Sequence, residues 1–121
     1  MLTLVVALAA GLGAVARYAV DVVVQQRTGR EFPLGTLTVN VTGSFLLGLV
    51  TGLAAHHGLP GTPTTVLGIG FAGGYTTLST WAFESLALAE DGDFVRVATN
   101  VVGSMLAGLA AAAAGLALAL L

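Results

Sequence analysis

The chain has 121 residues and a mass of 12.0 kDa, room for one domain. Apolar residues make up 56% and charged residues 8%, against roughly 25% charged in a soluble domain, which excludes both a hydrated globule and a charge-rich disordered chain. A formal charge of −2 and no cysteine exclude a nucleic-acid footprint, a disulfide framework and thiolate metal sites. What is left is an all-α integral membrane protein, a single transmembrane domain over residues 1–121.

A membrane-crossing helix needs roughly 20 predominantly apolar residues. In chain order, residues 2–24, 33–55, 64–89 and 94–121 qualify, joined by short polar turns. The runs are continuously apolar, not the alternating segments of a barrel strand. The first carries no Lys or Arg before Arg17, so it lacks the charged start of a signal peptide. Arg17 and Asp21, four apart near its end, read as a local pair or as side chains snorkelling to the headgroups.

In the second span, Thr36, Asn40, Ser44, Gly48 and Gly52 recur every four residues and form one helical stripe. Ser44, Gly48 and Gly52 make a small-residue groove for another helix. Asn40 places an amide with two donors on the same stripe, either joining helices or lining a wet path. His56 and His57 are adjacent in the next turn, point different ways, and read as solvated.

The third span departs most from an ordinary crossing helix. Gly73-Gly74-Tyr75-Thr76-Thr77-Leu78-Ser79-Thr80 places a glycine pair and four hydroxyls near its centre, residues that weaken a helix interior. The expectation is a helix broken mid-membrane, whose free carbonyls and half-helix ends coordinate ions. A continuous helix with hydroxyls bonded to its own carbonyls is the competing reading. Glu84, one turn beyond Trp81, is available to cap, to pair with an arginine or to carry a proton. In the fourth span Asn100, Ser104 and Gly108 step by four, a second polar stripe to face the first.

With four crossings, Arg27, Arg30 and Arg96 share one side, and the other side has only histidines. The positive-inside rule puts the arginine loops in the cytoplasm and both termini outside.

Gly11-Leu12-Gly13-Ala14 with Arg17-Tyr18, Pro33 to Gly48 with Asn40 and Gly43-Ser44, Gly70 to Thr80, and Asn100 with Gly103-Ser104 together resemble the Fluc/CrcB fluoride channel family. The resemblance covers essentially the whole chain, in order. It implies a passive fluoride channel in the bacterial inner membrane that lets the cell expel fluoride. It also implies an antiparallel, dual-topology dimer with two narrow pathways and a structural Na⁺ at the interface. The family holds that Na⁺ with main-chain carbonyls at the third-helix break, at positions matching Gly73 and Thr76. Its pore asparagine matches Asn40, and its two pore phenylalanines match Leu78 and Trp81, where this chain departs from the pattern. With the polar residues above, the expected fluoride pathway is Asn40, Leu78, Ser79, Trp81, Asn100 and Ser104.

The departure has physical content. Fluoride is tightly hydrated, so a narrow path must replace its water with directed donors. An aromatic ring offers a positive edge without a trapping charge. Trp81 keeps a ring edge and an indole N–H; Leu78 offers neither, so a pathway it lines should be impaired. Strongly unequal arginine counts suit one fixed orientation, whereas a homodimer with an inverted copy needs both. The resulting hypothesis is a heterodimer with a homologous second subunit, beside the plain homodimer. Two other functions remain open: a non-conducting partner subunit, favoured by Leu78, and a proton-coupled small multidrug exporter, which would need Glu84. No nucleophile–base–acid set falls in one place, so the chain does not read as an enzyme.

Overall fold

The computed structural model describes residues 1–29 and 31–121; Arg30, counted above among the cytoplasmic arginines, lies outside the described residues. The described chain is all-helical. α1 (Leu2–Thr28) and α2 (Leu34–His57) are long and regular. α3 (residues 61–75) is π-helical from Thr65 to Ala72, and α4 (Ser79–Glu90) follows it. α5 (Phe94–Leu118) contains a π-helical turn at Thr99–Gly103. α1, α2 and α5 are each long and apolar enough to cross a membrane. At 1.5 Å per residue, a 27-residue helix reaches about 40 Å, against a hydrocarbon core of about 30 Å.

Small residues decide how the helices meet. The groove of Ser44, Gly48 and Gly52 receives α5: a Cβ on Gly48 would strike the Ala112 carbonyl, and one on Gly115 would strike the Phe45 carbonyl. Reciprocal glycines thus let two backbones touch, the close packing that holds helices together where lipid supplies no hydrophobic drive. α1 meets α3 in the same way, with Gly13 against the Phe71 carbonyl and Gly74 against the Ala10 carbonyl. Large side chains point outward instead: Leu4, Leu8, Leu12, Leu106 and Leu109 are all exposed on the protomer. A surface of this kind is suited to lipid or to another subunit.

The helix ends are satisfied locally. Gly58, left-handed at φ 67°, terminates α2, and the Leu59 N–H reaches back to the Leu53 carbonyl at 3.2 Å. Asp93 caps α5 by accepting from the Arg96 N–H at 3.1 Å. His57, expected to be solvated, has Nε2 at 2.7 Å from the Ala119 carbonyl. It meets a carbonyl at the end of α5, where backbone acceptors lack helical donors. Arg96 pairs with Glu31 at 3.0 Å, which puts the first and third connections at the same end of the bundle.

Gln25 organises that end. Its Oε1 accepts from the Gly35 N–H at 3.0 Å, while its Nε2 donates to the carbonyls of Gly29 and Phe32. Gln25→Leu strips three backbone groups of partners at once. We expect it to lower stability by about 1–3 kcal/mol, read as a reduced melting temperature in detergent.

Candidate functional site

The helical path stops at Tyr75. Thr76 is extended (φ −76°, ψ 158°), and the helix resumes at Ser79. Thr76 itself behaves as the continuous-helix reading supposed, its hydroxyl bonding back to the Ala72 carbonyl at 2.9 Å. Thr77 does not. Its N–H donates to Asn40 Oδ1 and its carbonyl accepts from Asn40 Nδ2, both at 2.8 Å. The side-chain amide of α2 therefore pairs with this peptide much as a neighbouring strand would. The Thr77 hydroxyl accepts from the Thr80 N–H at 3.2 Å and bonds Thr80 Oγ1 at 3.0 Å, which caps the start of α4.

Two open grooves flank this segment. One, of about 310 Å³, runs beside Gly43, Gly68, Gly73 and Thr76. The other, of about 390 Å³, runs beside Trp81, Ser104 and Gly108. Asn40, Ser44, Thr77 and Leu78 line both, so the non-helical segment is the ridge between them. Leu78 stands on that ridge with its side chain 74% exposed. The second groove carries no formal charge and is mostly apolar: Leu78, Met105, Leu109 and Ala112 line it, set with a few neutral polar groups from Asn40, Ser44, Thr77, Ser104 and Trp81.

The expected pathway residues separate here. Asn40, Leu78, Trp81 and Ser104 converge on the 390 Å³ groove; Ser79 and Asn100 are not among its lining residues. Ser79 is exposed, 3.4 Å from the Thr77 hydroxyl. Asn100 is 1% exposed and is engaged on every side. Its Nδ2 donates to Ser85 Oγ at 2.9 Å, its Oδ1 accepts from Ser104 Oγ at 3.3 Å, and its carbonyl accepts from Trp81 Nε1 at 3.2 Å. The indole N–H expected to face the pathway is thus spent on the π-helical turn of α5. The Asn100 carbonyl also accepts from the Ser104 N–H, so the indole is a second donor to it.

Other polar groups also differ from expectation. Arg17 does not pair with Asp21 among the described residues; Nη1 donates to the Thr76 carbonyl at 3.4 Å. Glu84 Oε1 accepts from the Thr36 hydroxyl at 2.8 Å, and its buried Oε2 has no hydrogen-bond partner among the described residues. Thr77 and Arg17 are the residues that sequence reasoning left out of the site. Both act on the backbone of the break, and a backbone contact leaves no spacing to read.

Comparison with known proteins decides the kinship. Residues 4–116 match the family described as CrcB-like protein, Camphor Resistance (CrcB). The chain belongs to the CrcB family. Among CrcB relatives, it is 50% identical over 116 residues to the fluoride-specific ion channel FluC 1 of Leifsonia xyli, covering 96% of this chain and 85% of that protein. It is 48% identical to FluC 2 of Mycobacterium tuberculosis, over 91% of this chain and 84% of that one. It is 47% identical to FluC of Geobacter metallireducens, over 91% and 90%. The family match reaches into all five helices, so the ridge and both grooves lie inside the shared region.

Proposed function

We propose that the chain is one subunit of a fluoride-selective channel in the bacterial inner membrane, conducting passively and allowing the cell to expel fluoride. The observation that carries this reading is the likeness to proteins named as fluoride channels, about half identical to this chain, with an uncharged groove at the ridge whose mostly apolar wall holds a few neutral hydrogen-bonding groups. A small anion stripped of water needs donors, and a full positive charge would hold it too long; weak neutral donors at several sites permit both binding and release. Asn40, Ser44 and Ser104 supply amide and hydroxyl groups. The 12-residue α4 opens with amides at Leu78 and Ser79 that find no backbone acceptor among the described residues. α3 and α4 together make the third crossing, broken where the ion passes.

The subunit works in an antiparallel dimer. Its two grooves are open on the protomer, and lipid cannot satisfy the few hydrogen-bonding groups set in their apolar walls; an inverted second subunit would close them. A structural Na⁺ fits at the break, held by the Gly73 and Thr76 carbonyls. The fit rests on the backbone: the amides that would close helical bonds onto these two carbonyls, those of Thr77 and Thr80, are both bonded to side chains. The Arg17 bond to the Thr76 carbonyl is long and leaves one of its two lone pairs free. Na⁺ bound there would neutralise the inward-facing carbonyls where the subunits meet.

Leu78 and the one-sided arginines support pairing with a homologous subunit of opposite orientation and unequal conduction in the two pathways. The test is fluoride efflux from liposomes containing this chain alone and then with the candidate partner. Efflux that follows the fluoride gradient in the paired sample supports a channel. A pH gradient imposed on the same liposomes should move no fluoride against its own gradient; uphill movement would replace the channel with a proton-coupled exporter using Glu84.

A further inference from the structure

Asn40 has the obvious reading of a donor to the passing anion. Its geometry says something different. An α-helix closes its ladder by donating each N–H to the carbonyl four residues back, so a helix continued through this segment would bond Thr77 N–H to Gly73 and Thr80 N–H to Thr76. Neither bond forms. Thr77 N–H donates to Asn40 Oδ1 at 2.8 Å, and Thr80 N–H donates to Thr77 Oγ1 at 3.2 Å. The Thr77 carbonyl, which would accept from Trp81, accepts from Asn40 Nδ2 instead.

We infer that Asn40 and Thr77 are positioning residues for the cation: their side chains divert the two amide hydrogens that would otherwise satisfy the Gly73 and Thr76 carbonyls, and so keep those oxygens available as ligands. The inference rests on the cation reading above and adds the cause of the site. Buried backbone groups seldom go unpaired. At the buried Thr77 both backbone groups are paired with Asn40. The helical donors of the exposed Gly73 carbonyl and the half-buried Thr76 carbonyl are thereby bonded elsewhere, Thr76 keeping only the long Arg17 contact. Thr77 is 8% exposed, so water does not readily replace its bonds. Gly73 contributes on the other side: a Cβ there would meet only the Gly68 carbonyl, at 3.9 Å, so its backbone borders open space.

Asn40 thus spends its carbonyl oxygen and one of its two amide hydrogens on the ridge. One hydrogen remains for any direct contact with an anion.

The experiment is Na⁺-dependent thermal stability of the purified dimer, titrated with NaCl against N-methylglucamine chloride at constant ionic strength. The readout is the Na⁺ midpoint, not flux. A ligand bound only by the native state raises stability with its concentration, so the midpoint tracks affinity. Asn40→Leu keeps the side-chain volume, returns the Thr77 N–H and should raise the midpoint about tenfold or abolish it. Asn40→Asp still accepts that N–H and should keep the midpoint within about threefold, a rescue that a direct anion-donor role would not give. Thr77→Val releases the Thr80 N–H and should also raise the midpoint about tenfold; Thr77→Ser should not. These expectations are fold-changes in a ligand equilibrium, each tenfold step being about 1.4 kcal/mol.

Three results overturn the inference. The first is Asn40→Leu with lost fluoride efflux and an unchanged Na⁺ midpoint, which would make Asn40 an anion donor only. The second applies if Asn40→Leu does not fold: an unchanged midpoint in Thr77→Val. The third is wild-type protein insensitive to Na⁺, which removes the cation reading itself and is distinguished from the others by appearing without any mutation.

Discussion

Replacing Leu78 with phenylalanine should raise fluoride efflux through the reconstituted channel about tenfold. Leu78 lines both grooves and lies on the ridge between them. Its aliphatic side chain offers no dipole to an anion shedding water. A phenyl ring would present a positive edge at the same place, and lowering the barrier for the passing anion by about 1.4 kcal/mol is tenfold in rate. The exposure of Leu78 matters to the prediction. At 74% exposed on the protomer, the site can take a larger side chain without the overpacking that such a change causes in a filled core. Trp81→Phe should bring no comparable gain, because it keeps an aromatic ring where one already stands and removes the indole bond to the Asn100 carbonyl. The measurement is initial efflux from liposomes at matched protein density. Equal rates for Leu78→Phe and wild type would show that the ridge does not limit conduction.

Gly48→Leu should abolish the folded protein, while Gly11→Leu should leave it intact. Both are helical glycines in apolar runs, but only Gly48 belongs to the small-residue stripe of four-residue period. A Cβ on Gly48 would fall on the backbone carbonyl of Ala112, whereas one on Gly11 would meet nothing within 4 Å. A backbone atom cannot swing aside as a side chain can, so α2 and α5 must separate along their seam. Even one added methylene in a packed interface costs roughly 1–3 kcal/mol, and a leucine adds several, comparable to the whole stability of a small domain. Gly11→Leu replaces a weak helix former with a strong one on an open face. Yield of monodisperse protein and melting temperature separate the two; loss of both variants would show that Gly11 faces a partner subunit.

The long apolar spans were legible because bilayer thickness imposes a minimum run length, and α1, α2 and α5 follow it closely. The polar stripe of α2 was legible too, since a four-residue period survives folding as one helix face. Its division of labour was not. Ser44, Gly48 and Gly52 do receive another helix, and it is α5, the span whose own four-residue stripe was expected to face them; which of its residues meet the groove was not legible. Asn100 matched the same period, yet it is buried behind the groove, bonded to Trp81 and Ser104, which line it. A period reports which residues share a face, and only contacts report what the face meets. Arg17 and Asp21 illustrate the same limit, because spacing suggested a pair while the guanidinium reaches a carbonyl 59 positions away.

Composition and apolar run length were enough to determine the solvent, the helical class and the third span as the anomalous one, because lipid penalises every unsatisfied polar group and leaves few ways to arrange a chain. Which amide loses its helical partner, and which side chain takes it, was decided only by tertiary structure. Asn40 and Thr77 are 37 positions apart, and hydrogen bonds between such residues depend on where two helices come to rest.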